Sequence, residues 1–130
     1  MDLLLDSHVF LWFDLTPEKL SRTAYDSLIN EENTLYISLV SIWEMQIKLQ
    51  LGKLVLDDGL PETIKKHQMS NQLKILNIEA NHIFTLASLS DHHRDPFDRM
   101  LIAQAKAENY TLVTADKNVH SYSDQIALLW

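Results

Sequence analysis

Residues 92–105 have the sequence His92-His93-Arg94-Asp95-Pro96-Phe97-Asp98-Arg99-Met100-Leu101-Ile102-Ala103-Gln104-Ala105. Asp95 followed by proline predicts a helix that begins here, because aspartate is favoured at the N-cap and proline at the first helical position. We therefore assign Asp95 a capping role and expect the helix to run to about Glu108. Asp98 lies in the first turn of this helix, where the backbone N–H groups and the helix dipole favour a negative charge.

Three more acidic residues follow apolar stretches of the chain. They are Asp6 after Leu3-Leu4-Leu5, Glu44 after residues 35–40, and Asp116 after residues 112–115. Ligand sites in open α/β folds lie outside the carboxyl ends of the strands, so we expect the four carboxylates to gather at one edge of a sheet. Crowded carboxylates repel one another unless a divalent cation lies between them. Metal-dependent chemistry is therefore the leading hypothesis, and an oxygen-rich set of ligands favours Mg²⁺ or Mn²⁺ over zinc.

Apolar segments alternate with helical ones along the whole chain. We expect strands at residues 3–5, 35–40, 74–78 and 111–114, with 125–129 as a candidate fifth strand. Helices are expected to begin near residues 7, 21, 41, 61, 81 and 95. This order is typical of a parallel sheet covered by helices on both faces. The three tryptophans, Trp12, Trp43 and Trp130, are expected to fill the core, although an exposed one could stack on a base.

Composition limits the class of protein. The 130 residues, 46% of them hydrophobic, suit a single domain spanning residues 1–130, and the absence of cysteine excludes disulfides and thiolate metal sites. No apolar run approaches the roughly 18 residues of a membrane span, so we expect a cytoplasmic protein with no membrane association. The net charge of −7 argues against non-specific coating of nucleic acid. It does not argue against a nuclease whose bound cations invert the local charge.

Two of the acidic residues also have a structural interpretation. Asp6 can simply cap the helix that follows it. Ser41-Ile42-Trp43-Glu44 matches the Ser-x-x-Glu capping box, with Ser41 as the helix cap, and Glu44 lies four residues before Lys48, as in a helix-surface ion pair. Capping and catalysis both remain open for these residues.

The last strand and the acidic helix supply further candidate residues. Thr114 and Asp116 share one side of the chain by strand alternation, so a hydroxyl and a carboxylate can reach the same site. A plain strand-to-turn role explains Asp116 equally well. Arg94 and Arg99 flank the acidic helix start and are the candidates for contacts with substrate phosphate. The six histidines are scattered, and we assign none of them as a metal ligand.

Over its whole length the chain resembles the PIN-domain ribonucleases, particularly the VapC-like toxins of bacterial type II toxin–antitoxin pairs. The resemblance rests on four segments in the family's order: Leu3-Leu4-Leu5-Asp6-Ser7-His8; Ser41-Ile42-Trp43-Glu44 with Lys48 and Gly52-Lys53-Leu54; His92 to Arg99 with Leu101-Ile102-Ala103-Gln104-Ala105; and Leu112-Val113-Thr114-Ala115-Asp116. It implies a PIN-like three-layer α/β/α sandwich with a central, mostly parallel sheet of four to five strands.

The resemblance also implies an activity, a cofactor and partners. Family members are endoribonucleases in which one or two Mg²⁺ or Mn²⁺ ions activate the water that attacks an RNA phosphodiester. The metal-binding acidic positions of the family map to Asp6, Glu44, Asp98 and Asp116, with Thr114 as the accompanying hydroxyl. The resemblance further implies an RNA substrate, a homodimer and a cognate antitoxin protein.

Two other classes of protein share parts of this pattern. A response-regulator-like phosphoacceptor domain is also a doubly wound sheet, and Asp57 and Lys117 match two of its residues. That class requires paired acids after the first strand, whereas Asp6 is followed by Ser7, and an aspartate-nucleophile phosphatase would need an aspartate where His8 stands. A PIN scaffold that binds a partner or RNA without catalysis is the remaining alternative.

Overall fold

A parallel five-stranded sheet lies at the centre of the fold. The structure, a computed structural model, describes residues 1–130. The strands are β1 (Asp2–Leu5), β2 (Thr34–Ser38), β3 (Lys74–Leu76), β4 (Thr111–Val113) and β5 (Ala127–Leu129). Their order across the sheet is β3-β2-β1-β4-β5, and every neighbouring pair is parallel. All five carboxyl ends therefore lie at the same edge, with β1 and β4 adjacent near the middle.

Seven α-helices connect the strands. They are α1 (Ser7–Leu15), α2 (Arg22–Ile29), α3 (Leu39–Gln50), α4 (Leu60–Ser70), α5 (Ala80–Thr85), α6 (Pro96–Glu108) and α7 (Lys117–His120). Short 3₁₀ turns add Pro17–Lys19 and Leu86–Ser88. None of the helices is long and apolar enough to cross a membrane.

The two faces of the sheet bury separate hydrophobic clusters. Leu3 and Leu5 of β1 point into a cluster that includes Phe10 of α1, whereas Leu4 points into a cluster on the opposite face with Ile102 of α6. All three leucines are fully buried, which follows from the alternation of side chains along a strand covered on both sides. The three-layer α/β/α sandwich is thus confirmed, with five strands.

Helix α3 begins two residues before the predicted start, and Ser41 is not its cap. The N-cap is Ser38, whose Oγ accepts a hydrogen bond from the backbone N–H of Val40 at 3.0 Å. The same hydroxyl donates to Oε1 of Gln104 on α6 at 2.6 Å, so a tertiary contact fixes the helix start. Ser41 lies buried inside the first turn, and the predicted capping box with Glu44 does not form. The prediction of Ser41 as a cap was therefore wrong.

The prediction for one tryptophan was also wrong, and the structure bears on the signalling alternative. Trp43 was expected in the core but is 60% exposed and packs edge-to-face against Phe97, whereas Trp12 and Trp130 are partly buried. Residues 54–56 form no strand, and Asp57 lies in a turn before α4. A phosphoacceptor aspartate must follow a strand of the sheet, so the structure does not support the signalling alternative.

Candidate active site

Four elements bring acidic side chains to the carboxyl edge of the sheet. Asp6 directly follows β1 and caps α1, and Asp116 follows β4 and caps α7. Asp98 lies in the first turn of α6, which Asp95 opens by accepting from the backbone N–H groups of Phe97 and Asp98 at 2.9 and 3.3 Å. Residues far apart in sequence therefore meet where β1 and β4 end.

Asp6 is the most buried of these acids, with 4% of its surface exposed. Its Oδ1 accepts from the backbone N–H of Ser7 at 2.7 Å, and its Oδ2 accepts from Oγ1 of Thr114 at 2.8 Å. Oγ1 of Thr114 in turn accepts from the backbone N–H of Asp116 at 3.1 Å. One fully buried hydroxyl thus connects the first and last acidic positions and orients the carboxylate of Asp6.

Asp98 has a perturbed acidity. Burial raises its pKa, and the nearby negative charge of Asp6 raises it further, to about 6, although a hydrogen bond from His93 acts in the opposite direction. Each cause is physical: a carboxylate loses hydration when buried and is repelled by a like charge. A buried aspartate whose pKa is raised by the charge of a second aspartate is an arrangement that a bound cation would relieve.

Glu44 reaches the same region from the second turn of α3. Its Oε1 accepts a hydrogen bond from Oγ of Ser7 at 2.7 Å. Because the backbone N–H of Ser7 donates to Asp6, Ser7 connects the two carboxylates. Glu44 forms no salt bridge with Lys48, so the predicted ion pair on the helix surface is absent. The carboxylate of Glu44 instead accepts the hydrogen bond of the Ser7 hydroxyl, next to Asp6.

Two histidines that the sequence did not indicate contact the acids. Nε2 of His93 lies 2.7 Å from Oδ2 of Asp98 and 3.9 Å from Oδ2 of Asp116. Potential ligand atoms of these three residues lie within 4.8 Å of one another. Nδ1 of His8 lies 3.5 Å from Oδ2 of Asp6. Each histidine lies within five residues of one of the acids, His8 after Asp6 and His93 before Asp98. This short spacing is the one feature of the sequence that would have identified them.

The two arginines beside α6 have different surroundings. Arg99 donates to the carbonyl oxygens of Ser90 at 3.0 Å and His93 at 3.3 Å, and to the hydroxyl of Tyr122 at 3.1 Å. Its guanidinium thus holds the loop before α6 together, while contact of Arg99 with substrate phosphate stays a prediction. Arg94 is exposed.

The residues present fit a divalent cation with oxygen ligands. Asp98 and Asp116 offer carboxylate oxygens within 4.8 Å of each other. Asp6 lies near enough for its charge to raise the pKa of Asp98, and Glu44 is joined to the residue after Asp6 by its hydrogen bond with Ser7. Hard cations such as Mg²⁺ and Mn²⁺ prefer these ligands. The buried negative charge on Asp6 and the perturbed acidity of Asp98 supply the electrostatic reason for such an ion.

Comparison with known proteins agrees with this fold. The family model described as PIN domain matches residues 3–124. Ribonuclease VapC22 of Mycobacterium tuberculosis is 28% identical over 120 residues, which cover 92% of this chain and 90% of the relative.

Solved structures show the same architecture. VapBC2 from Rickettsia felis bound to a DNA fragment from its promoter superposes with a TM-score of 0.73 at 19% identity, covering 99% of this chain and 98% of the other. FitAcB from Neisseria gonorrhoeae superposes with a TM-score of 0.63 at 19% identity, covering 98% and 96%. Because the family model spans nearly the whole length and the structures share the sheet and its helices, the chain belongs to the PIN domain family.

Proposed function

We propose that this protein is an Mg²⁺- or Mn²⁺-dependent endoribonuclease and the toxin of a type II toxin–antitoxin pair. The observation that carries the proposal is the convergence of Asp6 and Asp98 at one sheet edge, close enough for the charge of Asp6 to raise the pKa of Asp98. The similarity to ribonuclease VapC22 supports RNA as the substrate. The similarity to structures of toxin–antitoxin complexes supports an antitoxin partner. A homodimer follows from the family resemblance.

The protein's own part in the reaction is to hold carboxylates in fixed positions. Asp6, Asp98 and Asp116 would bind the cation, with Glu44 at the side of Ser7. When bound, one or two such ions would activate water and neutralise charge on a phosphodiester. The Ser7 N–H and the Thr114 hydroxyl fix both oxygens of Asp6, so this carboxylate needs little reorganisation to act. Arg94 is the exposed cationic side chain placed to contact a neighbouring phosphate.

The net charge of −7 makes the cation important for substrate binding as well. A polyanionic RNA is repelled by a cluster of carboxylates unless bound ions reverse the sign of the local charge. Metal removal should therefore weaken both the association with RNA and the chemical step.

The first prediction concerns metal removal. Purified protein should cleave single-stranded or looped RNA in Mg²⁺ or Mn²⁺, and excess EDTA should stop cleavage until the metal is restored. The measurement is a time course of end-labelled RNA on a denaturing gel. Asp2→Asn changes an exposed residue at the opposite end of β1 and should respond to Mg²⁺ and EDTA as the parent protein does. Cleavage that continues unchanged in EDTA would exclude the proposed mechanism.

The second prediction separates a catalytic role of Glu44 from a structural one. Glu44→Gln keeps an oxygen that accepts from Ser7 but removes the negative charge, so we expect kcat to fall by about 10- to 100-fold with little change in melting temperature. Glu62→Gln on the exposed side of α4 serves as the control for the same substitution. If Glu44→Gln cleaves RNA as fast as the parent protein, Glu44 acts only through its hydrogen bond with Ser7.

A further inference from the structure

His93 makes hydrogen bonds through both ring nitrogens. Nδ1 accepts from the backbone N–H of Arg94 at 3.1 Å, and Nε2 lies 2.7 Å from Oδ2 of Asp98. Since a backbone N–H can only donate, Nδ1 must be the nitrogen without a hydrogen. The hydrogen of the neutral ring is therefore on Nε2, and it is donated to the carboxylate of Asp98.

A histidine that binds a metal shows the opposite pattern. Its outer nitrogen carries the hydrogen and donates it to a carboxylate, a carbonyl or water, which leaves the lone pair of the inner nitrogen for the ion. In His93 the outer nitrogen is Nδ1, and it accepts a hydrogen bond from a backbone N–H. The hydrogen is therefore on Nε2, the nitrogen near Asp98 and Asp116, and Nε2 has no free lone pair for a metal. His8 repeats this pattern: its Nε2 accepts from the backbone N–H of Ala115 at 3.1 Å, and its Nδ1 faces Asp6.

The loop that carries His93 is firmly anchored. The hydroxyl of Tyr122, a fully buried residue, accepts from the backbone N–H groups of His92 and His93, each at 3.0 Å, and donates to the carbonyl of Ser90 at 2.7 Å. Arg99 binds the same hydroxyl and the carbonyl of His93. Because the backbone is tied on both sides, we expect the imidazole to leave Asp98 by side-chain rotation and the loop to keep its position.

We propose that His93 is a positioning residue that takes the place of the divalent cation in the metal-free protein. Its Nε2–H holds the carboxylate of Asp98 beside that of Asp116 while the site is free of metal, and it turns away when an ion binds. The inference rests on the proposed function, because it requires that these acids bind a divalent cation. An interaction present only in the metal-free state opposes metal binding, so its removal should increase the affinity for metal.

The test is isothermal titration calorimetry with Mn²⁺ on the full chain, together with thermal unfolding with and without Mn²⁺. For His93→Ala we expect the Kd for Mn²⁺ to fall by about 3- to 10-fold, since the lost hydrogen bond is charge-assisted. The melting temperature of the metal-free variant should fall by about 3–6 °C. At saturating Mn²⁺ the variant and the parent should melt at nearly the same temperature.

Two further variants complete the design. His93→Gln supplies an amide N–H to Asp98 and should restore the affinity and the metal-free melting temperature close to the parent values, which also tests the inference if the alanine variant folds poorly. His92→Ala removes the exposed neighbouring imidazole and should change the Mn²⁺ affinity by less than about 2-fold.

The outcomes distinguish this inference from the proposed function. Weaker Mn²⁺ binding by His93→Ala, by about 10-fold or more, would make His93 a metal ligand and overturn the inference. Unchanged affinity and unchanged melting temperature would show that His93 does not position Asp98, and would overturn it too. A parent protein that binds no Mn²⁺ would overturn both the inference and the proposed function.

Discussion

Asp98→Asn should abolish RNA cleavage and, at the same time, stabilise the metal-free protein. We expect cleavage to fall by about 10³-fold or more, because the substitution removes a charged ligand of the proposed cation. The free energy of unfolding at pH 7 in EDTA should rise by about 1–2 kcal/mol. This is less than the full pKa difference of Asp98 would give, because solvent screens part of the repulsion. Asparagine still accepts the hydrogen bond from His93, so the local geometry is preserved.

The stabilisation should depend on pH in a defined direction. In the folded protein the pKa of Asp98 is raised from 3.8 to about 6, so folding favours the protonated carboxyl group. The contribution of protonated Asp98 to the free energy of unfolding is fully present below about pH 4 and is lost as the pH rises through 6. The difference in melting temperature between Asp98→Asn and the parent should therefore be largest above pH 6 and vanish near pH 4. A variant that cleaves normally, or that is destabilised at pH 7, would contradict the assignment of Asp98.

Asp6→Asn should abolish cleavage to a similar extent, by about 10³-fold or more, but without the gain in stability. Both oxygens of Asp6 accept hydrogen bonds, from the Ser7 N–H and the Thr114 hydroxyl. Asparagine offers only one acceptor, so its amide N–H groups would face either Thr114 or the backbone donor. This mismatch offsets the relief of repulsion with Asp98, and the melting temperature should stay the same or fall.

The comparison of the two variants is informative because both remove one negative charge from the same cluster. The measurements are single-turnover cleavage rates and thermal unfolding in EDTA, with Asp2→Asn as the control for a lost charge outside the site. A clear rise in melting temperature for Asp6→Asn would show that its hydrogen bonds do not determine its orientation.

The sequence was sufficient for the architecture because that information is local and repetitive. Leu3-Leu4-Leu5 and Leu112-Val113 have the apolar runs of strands buried on both faces, and Asp95-Pro96 specifies a helix start. From these elements the rule for parallel sheets predicts that Asp6 and Asp116 lie at the same edge of the sheet. The strand order that makes β1 and β4 neighbours comes from the structure and was not predicted.

The sequence was insufficient where a tertiary contact competes with a local pattern. Ser41-Ile42-Trp43-Glu44 matches a capping box, yet Ser38 caps α3 because its hydroxyl is also held by Gln104 from α6. His93 lies in a loop whose path depends on the hydroxyl of Tyr122, 29 residues away along the chain. No periodicity or spacing in the sequence encodes such contacts.

If acids from separate elements form one cation site, a crystal of the protein soaked in Mn²⁺ should hold an ion among them. We expect an anomalous scattering peak in contact with carboxylate oxygens of Asp6 and Asp98, with the imidazole of His93 turned away from Asp98. Acidic side chains that stay apart, with no manganese peak among them, would contradict it.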